Sequence, residues 1–147
     1  MERQEKSAPI GMFDSGVGGI SVLREARKML PNEQFIFFGD TKNAPYGTKS
    51  RDEVLALSCN AAEKLMGMGA KAIVIACNTA TSAAAQTLRE KYDLPIIGME
   101  PALKPASLLH KDGLILSLAT PGTINGEKYK QLFEKYGDGV VNLPCPG

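Results

Sequence analysis

The chain has 147 residues, 44% of them hydrophobic and 22% charged, with a formal net charge of +1. A chain of this length can bury roughly 70% of its unfolded surface, so one unit with an ordinary apolar core is the starting expectation. Its 17 basic and 16 acidic residues form no stripe or block, which argues against nucleic acid and anionic membrane as partners, and no apolar run approaches the roughly 20 residues of a membrane span.

The first six residues are charged, lack the apolar centre of a signal peptide and read as a frayed tail. Three cysteines, Cys59, Cys77 and Cys145, are too widely spaced for a disulfide framework or a zinc site. A reduced, cytoplasmic protein is expected.

Residues 9–13 form the first short apolar run and are read as a strand. Ile20, Leu23, Arg27 and Leu30 then fall on one helical face, and Pro31 stops that helix. Residues 35–39 and 72–76 are further buried strands, rich in Ile, Val and Phe. Between them, Ser50 and Glu53 make a capping-box pattern ahead of Val54, Leu55, Leu57, Ala61, Ala62 and Leu65, and Gly67 and Gly69 end that helix. The Ala-rich stretch 82–92 is helical, 94–98 a fourth strand, 114–119 a fifth, and 127–136 a further helix. The βαβαβαβ order predicts an α/β fold with a doubly wound parallel sheet over residues 1–99. Met99-Glu100-Pro101, with Pro105 soon after, reads as a crossover into a second, similar α/β unit over 100–147. Residues 140–143 look like a strand left uncovered. The second unit reads as unfinished and the chain as a fragment of a longer protein.

Three polar loops follow strands, and in a parallel α/β sheet ligands bind outside the carboxyl ends of the strands. Ala76-Cys77-Asn78-Thr79-Ala80-Thr81 puts a thiol between a strand end and a helix start, where the helix dipole and unpaired backbone N–H groups favour thiolate. The plain alternative is a buried structural cysteine. Asp14-Ser15-Gly16-Val17-Gly18-Gly19 nearly matches a dinucleotide fingerprint, with Ser21 where a third glycine would stand and Asp40 where a ribose-binding acid would be. We reject that reading, because Asp14 at the loop mouth repels pyrophosphate and the missing glycine weakens close helix packing. An acid beside a glycine-rich loop suits an ammonium group; a simple strand-to-helix turn is the bland reading. Pro45-Tyr46-Gly47 lies in a long loop from about 41 to 49, where Gly47 can offer its N–H to a carboxylate and Tyr46 can shield a pocket from water. It also fits an ordinary turn. Cys59 falls on an apolar helix face and reads as a small buried hydrophobe. His110 reads as a surface or capping residue, and Cys145, between prolines, has no clear reading.

Taken in order, residues 11–19, Gly39-Asp40-Thr41, Pro45-Tyr46-Gly47, residues 76–81 and residues 118–123 resemble the glutamate racemases of the aspartate/glutamate racemase superfamily. The resemblance implies two α/β domains facing each other across a glutamate site, without metal or cofactor. It implies racemisation by two cysteines, one on each face of the substrate Cα, with Cys77 as the first. Substrate contacts would fall on Asp14, Ser15, Pro45, Tyr46, Gly47, Asn78 and Thr79, joined by Thr120 and Thr123. The implied role is supply of D-glutamate for peptidoglycan synthesis, hence cell-wall biogenesis and cell shape. The family's second cysteine lies in a Gly-Cys-Thr-His type motif that this sequence lacks, so the 147 residues alone are expected to be inactive. A racemase of aspartate or a related acid, or a non-catalytic small-ligand domain, stays open, as does the choice between monomer and homodimer.

Overall fold

A computed structural model describes residues 7–109 and 112–145. The N-terminal tail and His110 lie outside the described residues.

The first four strands, β1 (Ile10–Asp14), β2 (Phe35–Gly39), β3 (Ala72–Ile75) and β4 (Ile96–Gly98), form one parallel sheet in the order β2-β1-β3-β4. Helix α1 (Gly19–Met29) packs on one face, while α2 (Arg51–Gly67) and α3 (Asn78–Lys91) pack together on the other. The alternation of side chains along β1 makes this division possible. Gly11 faces Leu65 of α2, whereas Asp14 faces Gly19 of α1. The doubly wound parallel arrangement expected from the sequence is therefore present.

The main core lies between the sheet and the α2–α3 layer. Phe13, Val54, Leu65, Ile73, Ile75 and Leu88 are fully buried there, and Ala61, Ala62, Ala80 and Ala84 let the two helices approach closely. Leu65→Ala should cost about 2–5 kcal/mol by leaving a cavity in this layer, measured as a loss of denaturation free energy. An unchanged transition midpoint would show that this layer closes up freely around the gap.

Local chemistry sets the helix ends. The capping box of α2 forms as expected: Glu53 N donates to Ser50 Oγ at 3.3 Å and Ser50 N donates to Glu53 Oε2 at 2.9 Å. Past its end, Gly69 adopts φ +86°, a left-handed conformation that favours glycine. Helix α3 begins at Asn78, earlier than the Ala-rich run suggests, because Cys77 itself is the N-cap.

The apolar stripe of α1 lies on one face, as expected, and that face is open. Ile20 and Leu30 are about half exposed, and together with Leu23 and Arg27 they line an open groove. Gly19 is buried against the sheet, and Val22 and Ala26 are half-buried. A Cβ on Gly19 would stand 2.8 Å from Asp14 Cβ and 2.9 Å from Ala76 Cβ, so this glycine sets the rotation of the helix. It also supplies the close helix–sheet approach that the missing glycine at position 21 was expected to weaken.

Beyond β4 lie α4 (Leu103–Leu109), β5 (Ile115–Ala119), α5 (Pro121–Ile124), α6 (Glu127–Tyr136) and β6 (Val140–Pro144). Two of these, α4 and α5, are absent from the expected order of elements, and they carry Pro105 and Pro121. Both prolines sit in a first helical turn, where the missing N–H has no partner to lose. Strands β5 and β6 pair in parallel as a separate two-stranded sheet. On one face Leu116, Leu118, Val141 and Leu143 are exposed. On the other, the buried Tyr129 hydroxyl bridges Ser117 and Asn142 of the adjacent strands.

Candidate active site

A cleft of about 600 Å³ runs between the carboxyl edge of the four-stranded sheet and the β5–α6 region. Asp14, Cys77, Asn78 and Thr79 line one wall, and Thr120 and Thr123 line the other. Six of the expected site residues thus come together. The sheet order is the reason, because β1 and β3 are neighbours and bring their loops side by side.

Cys77 has an extended backbone (φ −116°, ψ 123°) that turns the chain from β3 into α3. Its Sγ accepts from Ala80 N at 3.4 Å, a cysteine doing the work of a serine cap. The same thiol donates to Ser15 Oγ at 3.6 Å, a contact between residues 62 apart in the chain. Only 7% of Cys77 is exposed, and that portion faces the cleft. Cys59 is partly buried against the core, and neither it nor Cys145 lines the cleft.

Asp14 Oδ2 accepts from Gly16 N at 3.2 Å and Gly19 N at 3.1 Å. This carboxylate sits at the N-terminus of α1, the place a pyrophosphate would occupy in a dinucleotide site. The protein fills that position with its own anion, a stronger reason than loop-mouth repulsion to set a nucleotide aside. Gly39 completes the arrangement. A Cβ there would fall inside contact distance of the Gly16 carbonyl oxygen, so the Asp14 loop rests directly on the end of β2.

The two walls meet through hydroxyls. Thr79 Oγ1 lies 2.9 Å from Thr120 Oγ1 and 3.4 Å from Thr123 Oγ1, and Thr120 Oγ1 donates to Thr123 Oγ1 at 3.1 Å. Thr120 also caps α5, accepting from Thr123 N. Lys128 donates to Glu100 at 2.8 Å nearby, and that hydrogen bond holds the Glu100 carboxyl below its usual range.

Pro45, Tyr46 and Gly47 do not line the cleft. Pro45 is exposed after a cis peptide bond, and Tyr46 is 1% exposed within the core cluster that includes Cys77. Tyr46, expected to shield the pocket from water, is packed into the core and does not face the cleft. The Tyr46 hydroxyl donates to Asp40 Oδ2 at 2.7 Å. Burial, then that hydrogen bond, pushes the phenol far above its ordinary range and keeps it protonated. Sequence reasoning overlooked Asp40 in this role and Tyr129 on the cleft wall. The placement of Asp40 at a strand end, six residues before Tyr46, was the available signal for the first. Among the described residues, no three His, Cys, Asp or Glu side chains cluster as metal ligands would.

This wall of thiol, carboxylate and small hydroxyls can be set beside known proteins. The Asp/Glu/hydantoin racemase family matches residues 20–145. The chain belongs to this family. A glutamate racemase of Clostridium perfringens is 60% identical to this racemase-family chain over 150 aligned positions, covering 100% of the chain and 58% of the relative. Among solved structures, glutamate racemase from Aquifex pyrophilus superposes with a TM-score of 0.83 at 35% identity, covering 94% of this chain and 55% of that one. Escherichia coli glutamate racemase, in complex with L-glutamate and the activator UDP-MurNAc-Ala, superposes with a TM-score of 0.82 at 34% identity, covering 93% and 53%. The chain therefore spans about half the length of the relatives it matches.

Proposed function

We propose that this chain supplies one side of a glutamate racemase active site, with Cys77 as the acid/base on one face of the substrate Cα. The observation that carries the reading is the thiol of Cys77, held by the Ala80 N–H at the N-terminus of α3 and open to a cleft shared with Asp14 and Thr120. In one direction the thiolate takes the Cα proton and becomes a thiol. The electron pair left on Cα is then met by a proton from a second thiol on the opposite face, and inversion is complete. Thiols suit both steps because their protonation can be balanced near working pH. Neither Cys59 nor Cys145 reaches the cleft, so the second thiol comes from sequence outside these 147 residues. In this reading residues 1–99 form the first α/β domain and 100–147 begin the facing one.

The remaining groups pin the substrate so that Cα alone faces sulfur. Asp14 and Ser15 would take the ammonium, and Asn78, Thr79, Thr120 and Thr123 the carboxylates without adding bulk charge. Pro45 and Gly47 would contribute from the loop above Tyr46. The chemistry needs no metal or cofactor. It needs a reduced thiol, which a cytoplasmic setting provides, and D-glutamate for peptidoglycan, and so for the cell wall and cell shape, is its product.

The test is turnover of L- and D-glutamate by the full-length gene product, followed by circular dichroism. Both enantiomers should be consumed, aspartate should not, and the 147-residue chain alone should give little or no turnover. Glutamate at 100 times its Kd should stabilise the protein by about 2.7 kcal/mol, whereas NAD, NADP and ATP should leave its melting temperature unchanged. Preferred turnover of aspartate would move the substrate, and a melting shift with a dinucleotide but none with glutamate would overturn the reading.

A further inference from the structure

We propose that Asp40 is a positioning residue for Cys77, acting through the buried ring of Tyr46. The proposal deepens the racemase reading and rests on it for its kinetic arm. Asp40 stands at the end of β2, is 7% exposed and does not line the cleft. Its carboxylate is held by donors of one loop. Asn43 Nδ2 donates to Oδ1 at 2.9 Å and to Oδ2 at 3.0 Å, and Tyr46 OH donates to Oδ2 at 2.7 Å. Its backbone is fixed too, since Asp40 N donates to Asp14 O at 2.9 Å. A carboxylate enclosed in this way has no line to a substrate, so it is not the group that moves the proton.

Its effect is to hold a loop closed. Burying a charge is costly unless it is paired, so the loop must keep both donors on Asp40. That fixes the Tyr46 hydroxyl and with it the ring. The ring belongs to the same core cluster as Cys77 and Ala80, the two ends of the N-cap hydrogen bond. The 3-10 turn that carries it, Tyr46–Thr48, packs against both α3 and α5. Tyr46 is therefore a wedge in the core cluster that holds the reactive thiol, and the turn that carries it packs against α5, which carries Thr123. Asp40 decides where the wedge sits. The carboxylate is two strands away from Cys77 in the sheet, and the long loop is what spans that gap.

The experiment uses Asp40→Asn and Tyr46→Phe, singly and together, in the full-length protein. A misplaced thiol damages the chemical step more than binding, so kcat for glutamate should fall about 10- to 100-fold while KM stays within about threefold. The double variant should be no worse than the poorer single, because both remove one linkage. The primary isotope effect with Cα-deuterated substrate should rise for one enantiomer only, since Cys77 serves one face. A general loss of structure would move neither that asymmetry nor the KM-against-kcat split.

A second arm does not depend on racemisation. Iodoacetamide labelling, mapped by peptide mass, should speed up at Cys77 roughly fivefold while Cys59 on α2 stays unchanged, as expected of local rather than global opening. If Asp40→Asn fails to fold, Asn43→Ala and Tyr46→Phe carry both arms. Unchanged kcat, additive single effects, or equal acceleration at Cys59 would overturn the proposal. If the unaltered protein does not racemise glutamate, the racemase reading falls on its own, and the labelling result still decides whether Asp40 positions Cys77.

Discussion

Cys77→Ser should abolish racemisation of both glutamate enantiomers while the protein stays folded. Serine is among the best N-cap residues, so its Oγ can take over the hydrogen bond that Sγ now accepts from Ala80 N. The core around residue 77 loses only the difference between sulfur and oxygen. What disappears is the thiol, and a serine hydroxyl is too weak an acid to exchange the proton in its place. General acid–base groups contribute on the order of 10²–10⁴ in rate, and the loss should lie at or beyond the upper end, because the remaining face cannot complete an inversion. Turnover of each enantiomer, with circular dichroism and thermal melting for the fold, makes the comparison. Near-normal activity in a folded Cys77→Ser protein would remove Cys77 from the reaction and with it the proposed function. Cys77→Ala separates the two roles of the residue. It should be equally inactive and also less stable by about 0.5–2 kcal/mol, because the cap is gone.

Gly39→Ala should damage both stability and the site. No rotamer helps an alanine here, because the atom its Cβ meets is the backbone carbonyl of Gly16. Either β2 or the Asp14 loop must move. Overpacking of this kind costs about 1–3 kcal/mol, and for a domain of this size each kcal/mol lowers Tm by roughly 2–4 °C. The loop is the softer of the two, so the displacement should reach Asp14 and Ser15, the latter in contact with the Cys77 thiol. A shift of about 1 Å at such a site can cost 10²-fold in rate. Gly67→Ala is the control: a Cβ at that helix end meets open space, and the change should raise stability by up to about 1 kcal/mol. Thermal melts and steady-state kinetics on both variants make the contrast. Equal behaviour of the two would mean that the Asp14 loop does not bear on Gly39.

Much of this was readable in advance. Short apolar runs bounded by polar turns determined the strands, because a strand buried on both faces has little choice but to be continuously apolar. Ser50 and Glu53 determined the start of α2, since both partners of a capping box lie within one turn. The thiol at the end of β3 and the acid at the end of β1 were visible as loop residues, and the general rule for parallel sheets was enough to aim them at one edge. Each of these is local: the residues that decide the outcome are neighbours in sequence.

What the chain order could not show was which surfaces would meet. That the stripe of α1 would border an open groove was not legible, because Gly19, with no side chain to signal hydrophobicity, sets the helix rotation by its contact with Asp14 and Ala76. Tyr46 was expected to shield a pocket and is instead buried in the core, where its hydroxyl finds a partner in Asp40. Thr79 met Thr120 only once two separate sheets had been packed side by side. Periodicity and capping chemistry act over one or two turns of chain and are written in the sequence. The orientation of a helix, the burial of a ring and the closing of a cleft depend on atoms dozens of residues away, and packing in three dimensions alone decides them.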